Sequence, residues 1–72
     1  MKAIIVEDEE FASKRLSLLI SELAPDLEIA TLLSSVQEAK QWFSENPLPD
    51  LIFLDIQLND GYGFDILDDP QA

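Results

Sequence analysis

Short, near-continuous apolar runs alternate along this chain with segments whose apolar residues recur every three to four positions. Ala3-Ile4-Ile5-Val6 and Leu51-Ile52-Phe53-Leu54 are unbroken apolar tetrads, the pattern of strands buried on both faces of a parallel sheet. After the first, Ala12, Leu16, Leu19, Ile20 and Leu23 fall on one face of a 3.6-residue period. The pattern predicts a strand from Lys2 to Val6 and a helix from Glu9 to Leu23. Pro25 stops that helix, because the residue before a proline is pushed out of the α region. Glu9 and Glu10 sit in its first turn, where the helix dipole favours negative charge.

A second strand is expected from Glu28 to Leu32. Ser35-Val36-Gln37-Glu38 then has the form of a capping box, with serine at the N-cap and glutamate three residues on. The helix it opens runs to about Glu45. Val36, Ala39, Lys40 and Phe43 mark one side, and Pro47 and Pro49 lie beyond its end. Trp42 and Phe43 are adjacent and cannot share one core-facing stripe. Phe43 is the expected core residue and Trp42 the partly exposed one. A third strand spans Leu51 to Asp55, followed by a polar loop through Gly61. Gly61 and Gly63 suit turn geometry through positive φ, not a phosphate-binding loop, which needs a GK[ST] ending. A last helix should begin near them, carry Phe64, Ile66 and Leu67, and end or kink at Pro70.

Strand–helix–strand–helix–strand–helix order predicts an α/β fold with a parallel sheet. The first strand should lie in the middle, in the flavodoxin-like order 2-1-3, as a truncated three-layer βαβαβα arrangement. The third strand is then an outer edge although wholly apolar, and such edges invite pairing with a second copy or exchange of elements.

The chain has 72 residues and a formal net charge of −11, from 15 acidic and 4 basic side chains. That balance argues against direct binding to nucleic acid or an anionic membrane surface, both of which rely on basic patches. No cysteine is present to form a disulfide or a thiolate metal site. The longest early apolar run is four residues, too short for a membrane span or signal peptide, so a cytoplasmic protein is expected.

Charge changes the picture most at the strand ends. The first tetrad runs into Glu7-Asp8 and the third strand into Asp55. Taken singly, each acid reads as a solvated strand end or a helix cap. Together, at neighbouring ends of one parallel sheet, three carboxylates converge where open α/β sheets bind ligands. They raise one another's pKa unless a cation intervenes. Mg2+, which takes oxygen ligands, would offset that charge and that of an incoming phosphoryl group. A carboxylate can then act as nucleophile and form an acyl phosphate. Phe11, just after the cluster, is expected to pack between helix and sheet or to wall the site.

The segments IIVEDEEFASKRL and PDLIFLDIQLNDGYGFDIL resemble the first and third βα units of bacterial response-regulator receiver domains. The wording LDIQLNDGYGFDIL is most similar to the LytR/AlgR class, whose receivers precede a LytTR DNA-binding output domain. The resemblance implies a two-component signalling module in which Asp55 is the phosphoacceptor. It implies that Asp8 ligates Mg2+ directly, Glu7 assists through water, and Gln57 offers its backbone carbonyl. Asp60 and Gly61 would shape the loop behind the site. The implied partner is a sensor histidine kinase supplying a phosphohistidine, and the receiver itself is not an enzyme. A full receiver has five βα units, with a Ser/Thr on the fourth strand and a Lys on the fifth. Residues 1–72 supply about two and a half to three units, so an N-terminal part of a receiver is expected. An alternative is a catalytically incompetent half-domain that self-associates through its third strand. A turning-over aspartyl phosphatase of the haloacid-dehalogenase type is disfavoured, because its general-acid aspartate would fall where Gln57 stands.

Overall fold

The computed structural model describes residues 1–55 and 57–67. Its elements follow the apolar pattern closely: β1 (Lys2–Val6), α1 (Glu10–Leu23), β2 (Glu28–Leu33), α2 (Val36–Glu45), β3 (Leu51–Leu54), β4 (Gln57–Leu58), β5 (Gly61–Tyr62) and α3 (Phe64–Leu67). β1, β2 and β3 form one parallel sheet in the order β2-β1-β3. The flavodoxin-like order expected from the sequence is therefore the observed one. The sequence-based strand limits shift by one residue, with Leu33 joining β2 and Asp55 standing just past β3. Pro70 lies outside the described residues.

β1 is central, and this explains its composition. Ala3, Ile4, Ile5 and Val6 are all fully buried, because helices cover both faces of the strand. Burial of this kind contributes about 1.5–3 kcal/mol per large aliphatic side chain. Alternation along the strand divides the tetrad between the two faces. Ile4 and Val6 join Leu33, Val36, Ala39, Phe43, Leu58 and Ile66 in one core on the α2 and α3 side. Ala3 and Ile5 point to the opposite face, where α1 packs on β1 and β2. Phe43 is buried and Trp42 half-buried against that core, with their rings edge-to-face at 5.6 Å.

α1 departs from its expected face. Ile20 is buried and Leu16 half-buried, but Leu19 and Leu23 are 44% and 82% exposed. The helix is rolled so that Ser13 is buried in place of the more outward stripe. Phe11 neither packs on the sheet nor lines the acidic site; it is 75% exposed.

The β1–β2 ladder contains an irregularity. Ala3 is opposite Ile29 but Ile4 is opposite Thr31, so Ala30 has no partner on β1. This extra residue re-phases the strand, bringing Leu32 opposite Ile5 and Leu33 opposite Val6. β3 pairs with β1 without a shift, Ala3 opposite Leu51 through Val6 opposite Leu54. Among the described residues no strand lies on β3's other side, and Leu51 is 42% exposed there.

Candidate metal and phosphoacceptor site

Val6 and Leu54 are register partners at the C-terminal ends of two adjacent parallel strands. The next residue of each chain therefore leaves the sheet beside the other. The ladder continues one step further and fixes them. The Glu7 amide donates to the Leu33 carbonyl at 2.9 Å, and the Asp55 amide donates to the Val6 carbonyl at 3.0 Å. Glu7 and Asp55 are thus held by backbone hydrogen bonds at a rigid sheet edge, with Asp8 following.

One carboxylate oxygen each from Glu7, Asp8 and Asp55 lies within 4.8 Å of the others, and all three residues are half-buried. The constellation expected from the sequence is therefore assembled. Its electrostatic signature falls on Glu7, whose carboxyl is held above the ordinary glutamate value of 4.5. Desolvation is the first cause, followed by the Asp55 charge and hydrogen bonds shared with Asp55 and Asp8. The Glu9 amide, donating to Glu7 Oε1 at 3.1 Å, pulls the other way. A carboxyl raised by burial and by the carboxylates beside it marks a site with a surplus of negative charge. The donor set is all oxygen, which suits Mg2+ and not a thiolate-seeking or imidazole-seeking metal. Gln57, the fourth metal ligand implied by the resemblance, opens β4 just after Asp55.

A cavity of about 430 Å³ opens beside Glu7 and Asp8, between the start of α1 and the β2–α2 turn. Lys14 lines it and is paired with Glu10 at 3.0 Å. The cation that lines this cavity is thus engaged by another carboxylate along the helix.

The segment after Asp55 folds into a small antiparallel hairpin, with Gln57 opposite Tyr62 and Leu58 opposite Gly61. Gly61 has a φ of +156°, as a residue without a Cβ permits. Gly63 is glycine for a different reason. A Cβ there would collide with the Asp55 carbonyl oxygen and press on Leu54. Sequence reasoning gave both glycines to turn geometry and missed this close approach.

A further link was invisible in sequence. Asp60 at the hairpin tip accepts from the Val36 amide at 2.8 Å and the Gln37 amide at 3.0 Å. Ser35 Oγ accepts from the Glu38 amide at 3.0 Å, the expected half of a capping box. The reciprocal half is displaced by one residue. Glu38 Oε2 takes the amide and hydroxyl of Ser34, each at 2.9 Å, where a standard box would take the Ser35 amide.

No family model matches the chain. Three curated relatives do, all sensory transduction proteins LytT. The chain is 41% identical over 66 residues to that of Enterococcus faecalis, 38% to that of Bacillus anthracis and 36% to that of Bacillus cereus. Each match covers 92% of this chain and 26% of the relative, so the chain spans about a quarter of their length. Among solved structures, the N-terminal domain of an uncharacterized protein from Wolinella succinogenes superposes with a TM-score of 0.73 at 31% identity. It covers 94% of this chain and 52% of that one. With the 2-1-3 sheet and the acid cluster at its edge, these similarities give the chain a receiver-like fold and make it a relative of the LytT sensory transduction proteins over about a quarter of their length.

Proposed function

We propose that this chain receives a phosphoryl group on Asp55 from the phosphohistidine of a sensor kinase, in a Mg2+-dependent step. The observation that carries the reading is the convergence of Glu7, Asp8 and Asp55 within 4.8 Å at the sheet edge. Glu7, Asp8 and Asp55, with the Gln57 backbone carbonyl, would hold the metal. Bound Mg2+ would supply charge to offset the phosphoryl oxygens. Asp55 Oδ attacks phosphorus, the P–O bond forms as the P–N bond of the phosphohistidine breaks, and the leaving imidazole takes up a proton. The aspartyl phosphate is a signal and not a turnover intermediate, because Gln57 stands where a general-acid aspartate would be needed. The setting is cytoplasmic; no described helix is long and apolar enough to cross a membrane. DNA contact is assigned to an output domain of LytTR type and not to this segment, whose net charge is −11.

The test is phosphotransfer with Mg2+ from a phosphorylated histidine kinase, followed by mass spectrometry of the Asp55 peptide. Label on Asp55 that is lost in Asp55→Asn and on chelation is expected. A chain that stays unlabelled while a control receiver is labelled would exclude the reading.

A second reading concerns association. Among the described residues β3 is an apolar outer strand with Leu51 exposed, and an edge of this kind can pair with a second copy. Sedimentation velocity should then show a concentration-dependent dimer that Ile52→Lys abolishes. A monomer at every concentration would remove this reading and leave the first untouched.

A further inference from the structure

The Asp60 carboxylate straddles the first two amides of α2 from a hairpin 23 and 24 residues further along the chain. Those amides, and their partial positive charge, hold the Asp60 carboxyl below the ordinary aspartate value of 3.8, with Lys40 adding a smaller attraction. Gly61 packs beside Val36, where an added Cβ would stand 3.2 Å from Val36 Cγ2. Leu58, on the other arm of the hairpin, is buried in the same core as Val36 and Ile66. The hairpin is therefore docked on α2 by two hydrogen bonds and by apolar contact.

Both ends of this hairpin bear on Asp55. One arm, β4, begins at Gln57, directly after the Asp55 segment. The other arm returns to Gly63, whose backbone lies against the Asp55 carbonyl oxygen. Asp55, the hairpin and Gly63 form a closed circuit, and Asp60 fastens its far end to α2. A helix cap alone has no need of such a route. Ser35 already caps α2 locally through the Glu38 amide.

We infer that Asp60 is a positioning residue for Asp55, which by clamping the β4–β5 hairpin to the N-terminus of α2 holds the phosphoacceptor carboxylate in register with Glu7 and Asp8. This rests on the reading of that cluster as the Mg2+ and phosphoacceptor site. Asp60 itself touches neither metal nor phosphoryl group. It acts through the backbone that carries Asp55.

Two caps on the same helix make the inference testable. Ser35→Ala removes the local cap, and Asp60→Ala removes the cap that also anchors the hairpin. Mg2+ affinity is measured by isothermal titration calorimetry on the full chain, with folding checked by circular dichroism at the same temperature. Asp60→Ala is expected to weaken Mg2+ binding about 10-fold, the lower range for supporting residues around a metal site, while Ser35→Ala stays within about two-fold of wild type. Asp60→Asn, which keeps one carbonyl oxygen for one amide, should fall between them and serves if Asp60→Ala does not fold. Equal Mg2+ affinity in wild type and Asp60 variants, or equal weakening by both cap removals, overturns the positioning role and leaves the site reading intact. Wild-type chain that binds no Mg2+ overturns the site reading itself, and this inference with it.

Discussion

Gly63 owes its identity to the Asp55 carbonyl, which occupies the space a side chain would need. Gly63→Ala therefore forces backbone apart at the site. Overpacking of this kind costs about 1–3 kcal/mol. It should appear as a lower urea midpoint at unchanged m-value, together with weaker Mg2+ binding. An unchanged midpoint would mean that the hairpin yields freely. Glu7, Asp8 and Asp55 were legible as a group from sequence because two apolar runs ended in acid, and parallel register does the rest. Asp60 was legible only as a loop-shaping residue. Its amide partners on α2 are more than twenty residues away, and no local period encodes them.

At the scale of elements, strands were easy to read because a tetrad such as Ala3–Val6 has no polar face to misplace. α1 was harder. Phe11, Leu18, Leu19 and Leu23 make it apolar over much of its circumference, and a 3.6-residue period does not say which of two overlapping stripes turns inward. The structure chooses Ile20, with Ser13 two turns earlier on the same face. Ile20→Ala should then cost about 2–5 kcal/mol. Leu23→Glu, at an exposed position, should stay within about 0.5 kcal/mol. Chemical denaturation of the two variants checks this, since comparable losses at both positions would restore the full stripe expected from sequence. The short β4–β5 hairpin escaped notice because two-residue strands carry no alternation to detect.

For the whole molecule the governing fact is charge. Fifteen acids against four bases give a net charge of −11, and the sheet edge concentrates three of those acids within 4.8 Å. Glu7 binds its proton more tightly in the folded than in the unfolded state. The folded state thus holds the extra proton, and the stability that depends on it is lost as pH rises from 4.5 through the raised value. In metal-free buffer, Glu7→Gln should gain on wild type across that rise, measured as the difference in urea midpoint between pH 4 and pH 7. A difference that stays flat with pH would show that the crowding has no energetic consequence. Added Mg2+ should reverse the ranking above the titration, because a ligand of the folded state stabilises it by mass action. At 72 residues the margin is thin, so occupancy of one ion could decide how much of the chain is folded.

The unpaired Ala30 carries a consequence for how this sequence can be edited. It stands outside the alternation of inward and outward faces, because Ile29 and Thr31 on either side of it pair with the consecutive residues Ala3 and Ile4. Replacing it alters one small side chain. Deleting it would close the ladder into a regular one with every present partner kept, Ile29 opposite Ala3 and Thr31 opposite Ile4, so Leu33 would stay opposite Val6 with its carbonyl toward Glu7. Substitution and one-residue deletion are both tolerable at this position, whereas deletion of a paired neighbour such as Leu32 is not, so divergent copies of this strand should differ both in the letter written at position 30 and in whether it is present.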